Sequence, residues 1–371
     1  MRARMSDVTY VLALLAGSRL VLEIIGVLAR MYVLPLRDIS YAWDYPASPW
    51  LAIWGQWDSR WYMDIATSGY SAQLHTEPEL WHQANYRFFP LYPWLMRELG
   101  PLCGGPFGAG IAISNVALFA SCLLLMRLVR LDYDEDTARR AAKYLVLMPV
   151  AFILSGVYSE SLFLSFTLAA FYLLRTERYA AAAVCAFLAA LTRHVGFLLL
   201  LPLAVQAWQQ RKSAPLEARM AWLLLIPVAP ALFAVFNWQL TGDPLAFVAI
   251  NSAWSSGWRN PMEVLAMGLF YVPEWELRFF AMLTLAALLL LALHASRIAL
   301  SYLVMAALFI GFPLSGAYLS MPRHLLPVFA LPISLAQLST RRSADMLLTA
   351  GLAILQCLLM PFWACGFKFI V

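Results

Sequence analysis

The chain has 371 residues, of which 62% are hydrophobic and 13% charged, and its formal charge is +5. A soluble domain is about 45–50% apolar and about 25% charged, so the composition excludes a disordered chain and argues against a soluble enzyme. No polar stretch is long enough for a separate soluble catalytic domain, so any chemistry belongs to membrane-face loops or to residues within the bilayer. The five cysteines, Cys103, Cys122, Cys185, Cys357 and Cys365, form no CxxC pair and mostly fall in or beside apolar runs. Neither a metal site nor a disulfide framework follows from them.

In chain order, apolar runs mark about eleven spans: 8–34, 107–127, 141–157, 161–174, 179–191, 195–209, 221–240, 278–293, 298–316, 324–338 and 346–366. The first run carries Arg19, Glu23 and Arg30, which a cleaved signal would not, so it reads as a retained span. Those three share one stripe of the helix, and an internal Arg–Glu pair is the plain reading. Basic residues at both ends of three later stretches require hairpins. Their apexes fall at Tyr158-Ser159-Glu160-Ser161, at Thr192-Arg193-His194 and at Pro322-Arg323-His324.

Loop charge sets the orientation. The segments assigned inside hold 15 basic and 8 acidic residues, and those assigned outside hold 9 and 12. The positive balance therefore follows topology and does not point to nucleic acid. The N-terminus is expected inside and the C-terminus outside. Two outside segments are large, about 35–107 and 241–277, and both are rich in Trp, Tyr and Pro. The whole of 1–371 reads as a single integral membrane domain.

In the first of these loops, a helix over 57–67 puts Asp58, Trp61, Tyr62 and Ile65 on one face. Asp64 points elsewhere and can pair with Arg60. Asp58 is the candidate functional acid, with helix capping as the alternative. The segment from Asn85, Tyr86 and Arg87 to Pro93 interleaves aromatics and prolines, as in an interfacial turn, a re-entrant segment or an aromatic belt. The hairpin apexes bring Glu160, Arg193, His194, Arg323 and His324 to the outer side on short spans. Ionisable groups there are costly unless paired or functional. Guanidinium groups grip phosphate, while Glu160 paired with either arginine is the structural alternative. Thr241-Gly242-Asp243-Pro244 opens the second loop, where Asp243 has the look of a turn residue.

Taken together, Trp57-Asp58-Ser59…Tyr62…Ile65-Ala66…Gly69-Tyr70, Phe88-Phe89-Pro90-Leu91-Tyr92-Pro93, Tyr158-Ser159-Glu160-Ser161-Leu162-Phe163, Thr192-Arg193 and Thr241-Gly242-Asp243-Pro244 resemble the PIG-V mannosyltransferase family. That family includes the eukaryotic GPI mannosyltransferase 2 and bacterial relatives, and the chain looks like a compact bacterial member. Pro322-Arg323-His324 matches the family pattern only loosely. The resemblance implies an all-α polytopic membrane protein of GT-C type, with short interfacial helices in its first extracytoplasmic loop. It implies an inverting transferase that takes a hexose, mannose by family, from a polyprenyl-phosphate donor. The acceptor would be a glycolipid, glycan or protein. Asp58 maps onto the family's base. Tyr62, Tyr86, Arg87, Glu160, Arg193, His194, Asp243, Arg323 and His324 are the expected substrate-binding residues. No metal is required, although Asp58 and Glu160 could share a divalent ion. The expected location is a bacterial inner membrane with the site outside, or the lumenal side of the ER in a eukaryote. A transporter or lipid flippase is the alternative from another class, but it predicts internal symmetry that the sequence lacks. A non-catalytic scaffold and a GT-C enzyme for another sugar or a protein acceptor are the remaining readings.

Overall fold

The computed structural model describes residues 5–36, 48–74, 83–210, 216–250, 257–316 and 320–367. Among these the regular structure is helical throughout. The helices are α1 (Asp7–Tyr32), α2 (Pro49–Ala52), α3 (Ser59–Ser68), α4 (Leu91–Leu99), α5 (Pro106–Val129) and α6 (Glu135–Leu147). They continue with α7 (Glu160–Arg175), α8 (Tyr179–Thr192), α9 (Leu200–Gln209), α10 (Leu216–Leu223), α11 (Val228–Thr241) and α12 (Ala246–Ala249). The last six are α13 (Pro261–Phe270), α14 (Trp275–Leu293), α15 (Leu300–Gly316), α16 (Met321–His324), α17 (Ala330–Leu338) and α18 (Arg342–Ala364).

Among the described residues, five helical stretches are long and apolar enough to cross a membrane: Asp7–Tyr32, Pro106–Val129, Met220–Thr241, Trp275–Leu293 and Arg342–Ala364. The other apolar helices are shorter. The outward faces of the five long stretches carry large hydrophobic side chains such as Leu20, Val116, Leu232, Leu289 and Leu347, which suits contact with lipid. Helix α7 packs between α5 and α8, α6 lies on α17, and α1 lies on α18. Gly26 lies at the α1–α18 contact, where a Cβ would meet the end of the Met360 side chain at 2.8 Å.

Two expected spans take another form. Over 324–338 the helix is confined to α17, with turns between His324 and Ala330. In place of a helix over 141–157, α6 ends at Leu147 and a 3-10 turn covers Ala151–Ser155. The cause is local. Pro149 forces the residue before it out of helical backbone, and Met148 has φ −52° and ψ 146°. At the other end Asp134 caps α6 by accepting from the Thr137 amide, with Glu135 and Asp136 in its first turn, where the helix dipole favours anions.

The polar stripe of α1 is also partnered differently from the Arg–Glu pair expected. Arg19 donates to Ser155 Oγ at 2.7 Å and to the Ala151 carbonyl at 2.9 Å. Glu23 instead accepts from the Trp54 indole at 2.6 Å. The first span is thus tied to the two segments that lead into the site.

Candidate active site

The site is built where α3, α7, α8 and α16 meet. Asp58 occupies the N-cap position of α3 but makes no capping hydrogen bond with its side chain. Its Oδ2 lies 2.5 Å from Nη1 of Arg323, 265 residues away in sequence. Arg323 also directs Nε toward Glu160 Oε1 at 3.4 Å, and Arg193 Nη1 pairs with that same oxygen. Arg193 further donates to Ser159 Oγ at 3.3 Å, and Ser159 is bonded to the Tyr62 hydroxyl at 2.7 Å. A chain of contacts therefore runs Asp58–Arg323–Glu160–Arg193–Ser159–Tyr62. The Glu160 side chain is 2% exposed, while that of Asp58 is 20% exposed. Asp58 is the carboxylate a substrate can reach. Glu160 Oε2 is buried without a hydrogen-bond partner.

Tyr158 holds this arrangement from beneath. Its hydroxyl accepts from the Asp58 amide at 3.1 Å and donates to the Gln56 carbonyl at 2.9 Å. Its ring lies 5.5 Å under the Arg323 guanidinium, a cation–π distance. The Val157 amide bonds the Trp54 carbonyl at 2.8 Å, and Ser59 donates to the Val157 carbonyl at 3.0 Å. These bonds clamp the start of α3 to the turn before α7. Three non-glycine residues of the described chain have positive φ, and two of them flank the ion pair: Trp57 at 48° and Ser320 at 63°. Such backbone costs about 1–3 kcal/mol and is held only by its surroundings.

The aromatic segment after Asn85 is internal, not an aromatic belt. Phe88 stacks on Trp61 at 5.7 Å and meets Tyr62 edge-on at 5.3 Å, while Phe89 packs on Phe233 of α11 at 4.5 Å. Asp64 serves structure, accepting from Asn85 Nδ2 at 2.7 Å, and Asn85 also donates to the Gly69 carbonyl at 3.1 Å.

The electrostatics agree with this layout. Burial alone would lower the Arg323 pKa, but Asp58 and Glu160 more than offset it and raise it. Burial takes Arg87 down to about 10, against the pull of Asp58 and with the push of Arg323 and Arg193. Arg87 is therefore within electrostatic reach of the pair. His194 and His324 sit at the hairpin apexes, outside the spanning helices. Burial and then Arg87, Arg193 and Arg323 lower His194 to about 3. Burial and the arginines push His324 down as well, so both imidazoles are neutral at physiological pH. Burial and then Glu160 raise the Tyr62 hydroxyl.

Two expected site residues lie apart from the carboxylate–arginine chain. Asp243 is exposed and forms a turn, accepting from the Leu245 amide at 2.8 Å. Tyr86 is buried against Ala246 and Ile250, and Asp243 is close enough to raise its pKa, after burial. They mark the place where the second large loop folds onto the first. Tyr158, Ser159 and Gln56 are the residues sequence reasoning missed. Tyr158 and Ser159 directly precede Glu160 at a hairpin apex, and that adjacency was the available signal.

The segment Met321–Pro327 separates two cavities. On one side, Arg323, His324 and Pro327 join Glu160 and Arg193 around a space of about 10 Å³, room for about one water. On the other, Pro322, Leu325 and Leu326 join Leu283, Ala287 and Leu290 of α14 around an apolar space of about 260 Å³. Among the described residues no three His, Cys, Asp or Glu side chains group as metal ligands.

No protein-family model matches the chain, and no curated protein matches it. Among solved structures it is similar to the oligosaccharyltransferase of Archaeoglobus fulgidus. The apo form aligns with TM-score 0.45 and 14% identity over 95% of this chain and 56% of that one. The complex with Zn and sulfate gives TM-score 0.47 and 14% identity over 93% and 53%. The form tethered to an acceptor peptide with the NVT sequon gives 0.44 and 12% over 95% and 55%. The chain spans about half the length of these neighbours.

Proposed function

We propose that the chain is a membrane glycosyltransferase of GT-C type, in which Asp58 is the general base and the arginines hold a lipid-linked phosphate. The observation that carries this reading is the meeting of Asp58, Arg323, Glu160 and Arg193 at one end of an apolar bundle. Few other arrangements call for two arginines and a reachable carboxylate in such a setting. The apolar cavity on the other face of Pro322–Pro327 supports a donor with a hydrocarbon tail. The motifs shared with the PIG-V family favour mannose as the sugar and an extracytoplasmic site.

In this reaction Asp58 takes the proton of an acceptor hydroxyl, and the oxygen attacks the anomeric carbon from the face opposite the phosphate. The bond from that carbon to the phosphate oxygen breaks, and its electron pair leaves with the polyprenyl phosphate. Arg323, Arg193 and Arg87 stabilise the departing charge. Tyr62 and Glu160 stand beside the reacting region, and Tyr86 with Asp243 forms an outer wall. No cofactor beyond the lipid-linked donor is needed in this scheme. The acceptor is a hydroxyl of a glycolipid, glycan or protein.

The test is Asp58→Asn in membranes supplied with polyprenyl-phosphate mannose. Loss of a general base lowers transfer by about 10²–10⁴-fold. Transfer at the wild-type rate would remove Asp58 from that role.

A further inference from the structure

We propose that Arg323 is exchanged between Asp58 and the donor phosphate, so that donor binding releases the base. The inference rests on the functional reading above and adds an order to it: donor first, then acceptor.

One oxygen of Asp58 is already engaged. Its Oδ2 accepts from Arg323 Nη1 at 2.5 Å. That oxygen cannot take a proton from a hydroxyl while Arg323 holds it. The cavity lined by Arg323, Arg193 and Glu160 has room for about one water, so a phosphate seated there would have to displace existing pairs.

Arg323 is placed to give way without being stranded. When Nη1 leaves Asp58, Nε still faces Glu160 Oε1 and the ring of Tyr158 still lies under the guanidinium. Asp58 is likewise retained, because the Tyr158 hydroxyl holds its backbone amide. The carboxylate is freed in place. Glu160 cannot substitute for Asp58 as the released group, since it is 2% exposed and holds Arg193 as well.

The chemistry of the cluster suits an incoming anion. Asp58 and Glu160 face Arg193 and Arg323, and guanidinium prefers a phosphate edge for two-point contact.

Farnesyl phosphate, a short prenyl monophosphate, is the probe, with binding measured by calorimetry on the purified full chain in detergent. Asp58→Asn removes the competitor for Arg323 and is expected to bind the probe about fivefold or more tightly than wild type. Arg323→Gln is expected to bind more weakly. The double variant is expected to bind no more tightly than Arg323→Gln alone.

Equal or weaker binding by Asp58→Asn would overturn the exchange. So would a gain that persists in the Arg323→Gln background, since simple repulsion from Asp58 would then explain it. Inorganic phosphate runs in parallel. If it binds as tightly and with the same dependence, the ligand is free phosphate and the donor assignment is overturned. Should Asp58→Asn fail to purify as folded protein, Asp58→Ser carries the same comparison. The two readings fail separately: tighter binding with sugar transfer intact removes the base, and lost transfer with unchanged affinity removes the exchange.

Discussion

Replacing Glu160 by Gln isolates the buried centre of the cluster. The amide keeps the shape of the side chain and removes its charge, while Arg193 and Arg323 remain. At 3.4 Å and an effective dielectric near 20, the Arg323–Glu160 contact alone is about 5 kcal/mol of gross attraction. Desolvation of the ions offsets much of that, but the desolvated arginines stay in the variant. Removing one partner of a buried pair costs about 3–5 kcal/mol for that reason. Thermal or denaturant unfolding of the purified protein in detergent should show a loss of that size. Adding Arg193→Met to Glu160→Gln should recover part of it, because a single guanidinium then remains for Asp58. A Glu160→Gln protein as stable as wild type would refute the argument. So would an Arg193→Met step that adds its full penalty on top.

Tyr158→Phe deletes the hydroxyl that joins the Asp58 amide to the Gln56 carbonyl, leaving a buried donor unpaired at about 1–3 kcal/mol. Transfer should slow about tenfold as Asp58 loses its tether, with donor binding retained; an unchanged kcat would show that the tether is not needed. Gly156→Ala puts a Cβ 2.8 Å from the Trp54 carbonyl oxygen, a backbone atom that cannot swing aside, whereas Gly17→Ala meets open space. The first should cost about 1–3 kcal/mol and the second should be neutral or slightly stabilising, both read from unfolding midpoints. His194 is held to about 3 in the fold, below its unfolded value of about 6.5. The unfolded chain therefore binds more protons between these values, and the His194 contribution to stability is present above about pH 6.5 and is lost as pH falls toward about 3. His194→Gln should flatten the unfolding midpoint over that window, and an equally steep fall would exclude His194 as its source.

The positions of most helices could be read because basic residues punctuate apolar runs. The apexes before Glu160 and at Arg193 follow from that punctuation alone. The α6 region could not be read by hydropathy, since its cap at Asp134 starts a polar helix whose second half is buried. The capping residue was nonetheless a visible sign. The candidate site was legible as a list of unusual charges on one side, including Glu160 with both arginines. Its pairing was not legible. Asp58 meets Arg323 across 265 residues, and Trp363 donates to the Ile53 carbonyl across 310. No local period encodes such contacts. Only packing of α18 against α1 and of α7 against α5 sets them. The aromatic run near Phe88 was misread for the same reason, because an interfacial belt and a packed interior use the same residue types.

Helix direction suits the sign of three of these charges. At this end of the bundle α3 and α7 begin, and each carries a carboxylate there, Asp58 at the N-cap and Glu160 in the first turn. Here α8 ends, and its C-cap residue is Arg193. Arg323 comes from the four-residue α16, which is too short for a dipole of its own. Helix starts favour anions and helix ends favour cations, by about 0.3–1 kcal/mol each. The ion chain is thus aligned with the backbone that presents it. A topology that brings two helix starts and a helix end to one place has a use for two carboxylates and a cation. A transferase needs a carboxylate to accept a proton and cations to hold a leaving phosphate, so in the proposed function the fold supports the charge pattern the chemistry requires.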